Sequence, residues 1–263
     1  MHKTPEFPDL LKLIEERSSA FRAAIQSAPD LDVQVPTCPE WTLLDLARHL
    51  GGGQRRWAAI VTAGPDGGAP AKSSSQIGEA APRERDALLA WLSESTQQLV
   101  DALHEVGPDR GCWTWWGDTE SPETSGAVAR HQVQEATVHT YDAQLAAGSA
   151  QPLPDEVAVD GVEEFNTTCG TTTVPWPHDA AIVDVHATEG PSWRVTLSAD
   201  GSSVSRLAES GTTDTADDVA FASVRGTASD LVLAFYDRIP FDSLERGGDL
   251  RVLDQLRGWD MEP

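Results

Sequence analysis

The chain has 263 residues, 40% of them hydrophobic, which is enough for one large domain or two small ones with packed cores. Its 42 acidic and 19 basic residues give a formal net charge of −23, a surplus that repels nucleic acid and anionic membranes and favours solubility. The three cysteines, Cys38, Cys112 and Cys169, are odd in number and widely spaced, which argues against a disulfide scaffold and for a reducing compartment.

The N-terminal stretch MHKTPEFPDLLKLIEERSS lacks the apolar core of a secretory signal. No apolar run reaches the roughly 18 residues needed to cross a bilayer. The expected setting is the cytoplasm.

Four helices are predicted in the first part. Residues 9–28 place Leu10, Leu13, Ile14, Phe21 and Ile25 near helical spacing. Residues 42–62 form the second, with Thr42 as N-cap and Asp45 as its capping-box partner. Residues 83–106 carry Leu88, Leu92, Leu99 and Leu103 on one face. The fourth runs through RHQVQEATVHTYDAQLAAG, residues 130–148, and ends at Gly148 as a C′ glycine. Between the second and third lies AGPDGGAPAKSSSQIGEAAP, a long loop, mobile or covering a site. Four long amphipathic helices suggest a four-helix bundle over residues 1–150.

After Gly148 the pattern changes. QPLPDEVAVDGVEEF opens a second unit with a short helix. AAIVDVHA, WRVTLSA and SVSRLA alternate like strands. ESGTTDTADDVA is an acidic surface loop, SVRGTASDLVLAFYDR a strand entering a helix, and DLRVLDQLRGW a last helix. Residues 151–263 are therefore expected to form a smaller α/β domain, and the whole chain a two-domain α+β protein.

The fourth helix poses the main chemical question. At about 100° per residue, Glu135, His139 and Asp142 fall in the middle of its apolar face, flanked by Val138, Leu145 and several alanines. Arg130, Gln134, Thr137, Thr140, Tyr141 and Gln144 fall on the far side, which suits water. A carboxylate placed among apolar residues must be paired or bound to a metal. Glu135 and His139 are one helical turn apart and can hold the same ion, and neutral imidazole and carboxylate are ordinary ligands of Zn²⁺. A buried hydrogen-bonded Glu–His or His–Asp pair explains the same pattern.

His49 is the best third ligand. It sits toward the edge of an apolar face and precedes Gly51, Gly52 and Gly53, whose helix cost of roughly 1 kcal/mol each suggests close approach of a ligand or another backbone. His131 is a less central alternative. His49, Glu135 and His139 would make a His₂Glu set with one open position, the pattern of a catalytic rather than a structural zinc. No HExxH helix, G-x-S-x-G elbow or P-loop is present.

VPTCPEWTLLDLARHLGG, followed far downstream by EATVHTYDA and later by VRGTASDLVLAFYDRIPFDSLERGGDLRVLDQL, resembles the mycothiol-dependent maleylpyruvate isomerase family of DinB-like metalloenzymes. The resemblance implies a DinB-like four-helix bundle and a smaller, sterol-carrier-like α/β domain. It implies a divalent ion, usually zinc, on the positions occupied here by His49, Glu135 and His139, and mycothiol as cosubstrate. For maleylpyruvate, the thiol adds to the cis double bond, the new single bond rotates, and loss of the thiol leaves the trans isomer. An arginine of the C-terminal domain would pair with a substrate carboxylate; Arg238 is the first choice and Arg225 the second. Asp142 could orient a ligand or pair with a basic residue.

Gln134 departs from the family pattern, in which a histidine commonly precedes the glutamate. Two other functions remain open: a metal-dependent hydrolase or transferase using another thiol or water, and a non-catalytic metal-binding regulatory module. The intact ligand set argues against the last. Cys38 reads as structural, and GCWTWWG as packing of a connecting loop or an aromatic wall. His104, His178 and His186 have no ligand-like partners at helical spacing. No nucleic acid or membrane partner is expected.

Overall fold

The structure is a computed structural model and describes residues 4–207 and 219–260. It divides into two compact units.

The helical unit comprises residues 5–117 and 123–153. Its elements are α1 (Phe7–Ser27), a hairpin of β1 (Gln34–Val35) and β2 (Cys38–Thr42), α2 (Leu43–Ala63), α3 (Ser74–Gly78), α4 (Arg85–Val106) and α5 (Ser125–Ala146). Helix α1 packs on α4 and α5, and α2 on α3, α4 and α5. Phe21, Ile25, Leu43, Leu46, Leu50, Leu88 and Leu92 share one buried core, so the periodic faces read from the sequence are the faces that pack.

Local chemistry fixes the helix ends. Thr42 and Asp45 form the expected capping box at the start of α2. Arg85 donates to the carbonyls of Ile25, Gln26 and Ala28 at 2.6–3.0 Å, closing the end of α1 where backbone acceptors are otherwise unpaired. Gly148, at φ +76°, donates to Leu145 O while Ser149 donates to Gln144 O, the paired bonds of a Schellman stop for α5. Buried Gln54 is satisfied across three helices, donating to Ser18 Oγ at 2.9 Å and accepting from Thr96 Oγ1 at 3.0 Å.

Two expectations need correction. The Gly- and Pro-rich segment after α2 is not wholly loop, because α3 docks on α2 through glycine. A Cβ at Gly52 would lie 2.2 Å from Ser74 O, and one at Gly78 would lie 2.5 Å from Arg48 O. Of the glycines after His49, Gly52 thus serves another backbone, whereas Gly51 makes room for the Trp91 ring. Nor does the far side of α5 face water: Gln134, Thr137 and Thr140 are all buried. Thr137 and Thr140 donate to the carbonyls of Val133 and Ala136, and Thr140 also reaches Arg17 O on α1. Their hydroxyls are satisfied within the helices and can be packed away.

The sheet-bearing unit holds residues 118–122 and those from 154 onward. It contains α6 (Asp155–Thr168), β3 (Ala181–Ala187), β4 (Ser192–Ser198), β5 (Gly201–Arg206), β6 (Ala220–Gly226), α7 (Ala228–Phe235), a 3₁₀ turn at Phe241–Ser243, β7 (Glu245–Gly248) and α8 (Leu250–Arg257). The strand order is β5-β4-β3-β6-β7, with β3 and β6 parallel and the other pairs antiparallel. One face presents the buried Val183, Val185, Val195 and Val224. On the other, Arg194 donates two 2.8 Å bonds to fully buried Asp184, so that charge is paired. The short β7 escaped the sequence reading, and most of the acidic segment assigned there to a surface loop lies outside the described residues.

Candidate metal centre

His49 comes from the middle of α2, and Glu135 and His139 lie one turn apart on α5. One ligand atom from each lies within 4.8 Å of the others. Glu135 Oε2 is 3.7 Å from Nε2 of both His49 and His139. That spacing is too long for a good hydrogen bond. It is close to the separation of about 3.4 Å between two ligands that share a tetrahedral ion at about 2.1 Å. Among the described residues the donor set fits a divalent cation better than it fits a direct hydrogen-bonded pair.

Asp142 settles the orientation of His139. Its Oδ2 lies 2.9 Å from His139 Nδ1, which directs Nε2 toward Glu135. Thr37 Oγ1 donates to Asp142 Oδ1 at 2.6 Å, and the Cys38 thiol is 4.0 Å from Oδ2. The carboxylate is completely buried, so these contacts offset its desolvation. Asp142 thus contacts the histidine of its own helix.

A third histidine stands on the other side of the glutamate. His131 Nε2 is 3.7 Å from Glu135 Oε1, and its ring is enclosed by Trp57, Trp115 and Trp116 at centroid distances of 5.0–6.2 Å. Burial pushes the Glu135 carboxyl up, but His49, His139 and His131 outweigh burial and hold it well below the usual carboxylate range. Glu135 is therefore an anion at neutral pH. The side chains of His49 and Glu135 stay 31% and 28% exposed, whereas His139 is 8% exposed, so the cluster is reached at His49 and Glu135 rather than at His139.

Two contributors were not picked out from sequence: Thr37 supports Asp142, and Trp41 packs tilted on His49 at 4.7 Å. His131, read from sequence as an alternative ligand, lies beside the second glutamate oxygen. Thr37, Cys38 and Trp41 all belong to the PTCPEW segment, so the motif was visible though its task was not. In GCWTWWG, Trp116 is buried and packs on Trp57, while Trp115 is 49% exposed beside His131.

Arg225 and Arg238 lie in the sheet-bearing unit. Arg225 is on β6, half exposed, with Nε 3.9 Å from Glu245 Oε2 on β7. Arg238 follows α7 and donates from Nη1 to Tyr236 O at 2.6 Å. His186 bonds Ser192 Oγ at 2.8 Å within its own sheet.

A helical unit carrying a His₂Glu donor set, joined to a unit built on a mixed sheet, defines a two-domain α+β protein with a candidate divalent-cation site. Residues 11–144 match the family model described as the mycothiol maleylpyruvate isomerase N-terminal domain, and residues 156–255 match that of its C-terminal domain. The chain belongs to the mycothiol-dependent maleylpyruvate isomerase family. No curated protein matches it by sequence. Among the solved structures that share its fold are two maleylpyruvate isomerase structures. A mycothiol-dependent maleylpyruvate isomerase aligns at 14% identity and TM-score 0.58, covering 92% of this chain and 93% of that one. A histidine-to-alanine mutant of such an enzyme aligns at 12% identity and TM-score 0.59 with the same coverage. Among the described residues, no helix is long and apolar enough to cross a membrane.

Proposed function

We propose that the protein is a divalent-metal- and low-molecular-weight-thiol-dependent enzyme, an isomerase or S-transferase, that acts on a small electrophile. Mycothiol is the thiol, and cis–trans isomerisation of a maleylpyruvate-type substrate is the precedent. The observation that carries the proposal is the convergence of His49, Glu135 and His139 in a chain matched by both family domains.

His49, Glu135 and His139 would hold the cation, Zn²⁺ on this nitrogen-and-oxygen donor set. A bound divalent ion stabilises a thiolate, the reactive form of a thiol. Asp142 fixes the ring of His139, and His131 faces the Glu135 oxygen turned away from the other two histidines at 3.7 Å. The opening beside His49 and Glu135 admits the thiol, with Trp41 along its edge. For an alkene conjugated to a carbonyl, the sulfur adds to one alkene carbon and the electron pair moves onto the carbonyl. Rotation about the single bond and return of that pair expel the thiolate and leave the trans alkene. Arg238, or failing it Arg225, pairs with a substrate carboxylate. The three cysteines are free thiols, consistent with a cytoplasmic setting.

The test is turnover of an electrophile panel that includes maleylpyruvate, with and without mycothiol, by metal-loaded and metal-stripped protein. Turnover only with both thiol and metal is expected. Metal-dependent turnover without thiol would replace the proposal with a hydrolase, and a protein that binds no stoichiometric divalent ion would replace it with a non-catalytic module.

A further inference from the structure

The sheet-bearing unit holds a cavity of about 230 Å³ that the proposed reaction does not use. Its floor is a square of valines. Val183 pairs with Val195 across β3 and β4, and Val185 with Val224 across β3 and β6, and all four are buried. Phe165 of α6, Phe235 of α7, and Leu253 and Leu256 of α8 also line it. The volume exceeds that of an apolar cavity of about 150 Å³ that accepts benzene, and falls short of the roughly 300 Å³ at which drug-sized pockets begin. A molecule somewhat larger than benzene fits it.

Asn166 says what kind of molecule. It stands on α6, lines the cavity and is only 3% exposed. Its side-chain nitrogen, Nδ2, is buried and has no hydrogen-bond partner among the described residues. A buried donor without an acceptor keeps its full desolvation cost, so native structures rarely leave one unless something else satisfies it.

The rim is already neutral. Arg257 Nη2 bonds Asp237 Oδ1 at 3.3 Å, and its guanidinium lies 5.2 Å from the centre of the Phe241 ring. Asp237, at φ +57°, is the C′ residue of the Schellman stop that ends α7, and its side chain is left to the rim. With Arg257 paired, nothing lining the cavity is left to balance a buried carboxylate, whereas a neutral oxygen needs only one donor.

We propose that this cavity binds a small, uncharged, largely apolar molecule carrying one oxygen acceptor, of the class of medium-chain aliphatic ketones, with Asn166 Nδ2 donating to that oxygen. The site is independent of the metal centre and of the reaction proposed for it.

The experiment is a titration of the full chain, with valine methyls labelled, followed by NMR. The probes are 2-octanone and, as an acceptor-free control, toluene. Saturable shifts of the Val183, Val185, Val195 and Val224 methyls are expected with both. Asn166→Leu removes the donor while keeping the branched four-atom side-chain skeleton, and toluene reports any space the larger methyls take. The substitution is expected to weaken 2-octanone roughly tenfold while toluene binds as well or better. A nuclear Overhauser contact between the Asn166 amide protons and the C1 methyl of 2-octanone in the unsubstituted protein reads the same pairing without any substitution. No saturable shift with 2-octanone would overturn the proposal, as would equal 2-octanone affinity in the Asn166→Leu protein or absence of that contact in the saturated complex.

Discussion

Asp142 Oδ2 lies 2.9 Å from His139 Nδ1, and that contact decides which ring nitrogen His139 presents to Glu135. A carboxylate here accepts from the Nδ1 proton and leaves Nε2 with its lone pair toward the cation site. Asp142→Asn keeps the shape and the Thr37 contact, but its amide can turn an NH₂ toward Nδ1 and select the wrong tautomer. The variant is expected to bind divalent metal about 10–100-fold more weakly, with an unchanged circular dichroism spectrum. Chelator competition measures this; an affinity equal to that of the unsubstituted protein would reduce Asp142 to a packing role.

Glu135 is the residue to which the three histidines are turned, His49 and His139 to Oε2 and His131 to Oε1. Glu135→Ala is expected to lose stoichiometric divalent metal altogether, whereas His104→Ala and His186→Ala keep it. Elemental analysis of the purified proteins gives the answer directly. Metal retained in Glu135→Ala would remove the assignment of His49, Glu135 and His139 as the ligand set.

The unequal legibility of the two α5 faces has a physical cause. The middle of the apolar face could be read because carboxylates and imidazoles among alanines and valines violate the ordinary pattern of a packing surface. The opposite face was misread as solvated because Thr137 and Thr140 look polar in sequence, while their hydroxyls are consumed by carbonyls one turn back. Thr37 and Trp41 were quoted in a motif but given no role, since a contact between a hairpin and a helix about a hundred residues away has no periodic signature. The strands of the second unit were readable from alternation, but four-residue β7 is too short to alternate.

The glycines after His49 illustrate the same limit, and they can be tested. From sequence, ligand approach and backbone approach were equally good reasons for Gly52. In the fold, a Cβ there would lie 2.2 Å from Ser74 O, a backbone atom that moves only with α3. Gly52→Ala is expected to destabilise the protein by about 1–3 kcal/mol, the usual cost of forced overpacking. Gly53, whose Cβ would meet only Ser74 Oγ at 3.7 Å, should accept alanine without loss and gain helix propensity. Urea midpoints of the two variants make the comparison, and equal midpoints would mean that α3 does not dock as described.

Cys112 supplies a pH prediction away from the metal ligands. Burial, and then the negative charge of Glu123, push its thiol up to about 11. An unfolded cysteine titrates near 8.5. The folded state therefore binds the thiol proton more tightly than the unfolded state. The stability this contributes is fully present below about pH 8.5 and is lost progressively as pH rises toward 11. Two outcomes follow. In native protein at pH 8.5, Cys112 should resist iodoacetamide and react only after denaturation, as followed by peptide mass spectrometry. The urea midpoint of the unsubstituted protein should also fall more steeply between pH 8.5 and 11 than that of Cys112→Ala, because only the former must release this proton. Parallel pH profiles, or rapid native labelling at pH 8.5, would show that Cys112 is reached by water in the folded protein despite its 4% exposure.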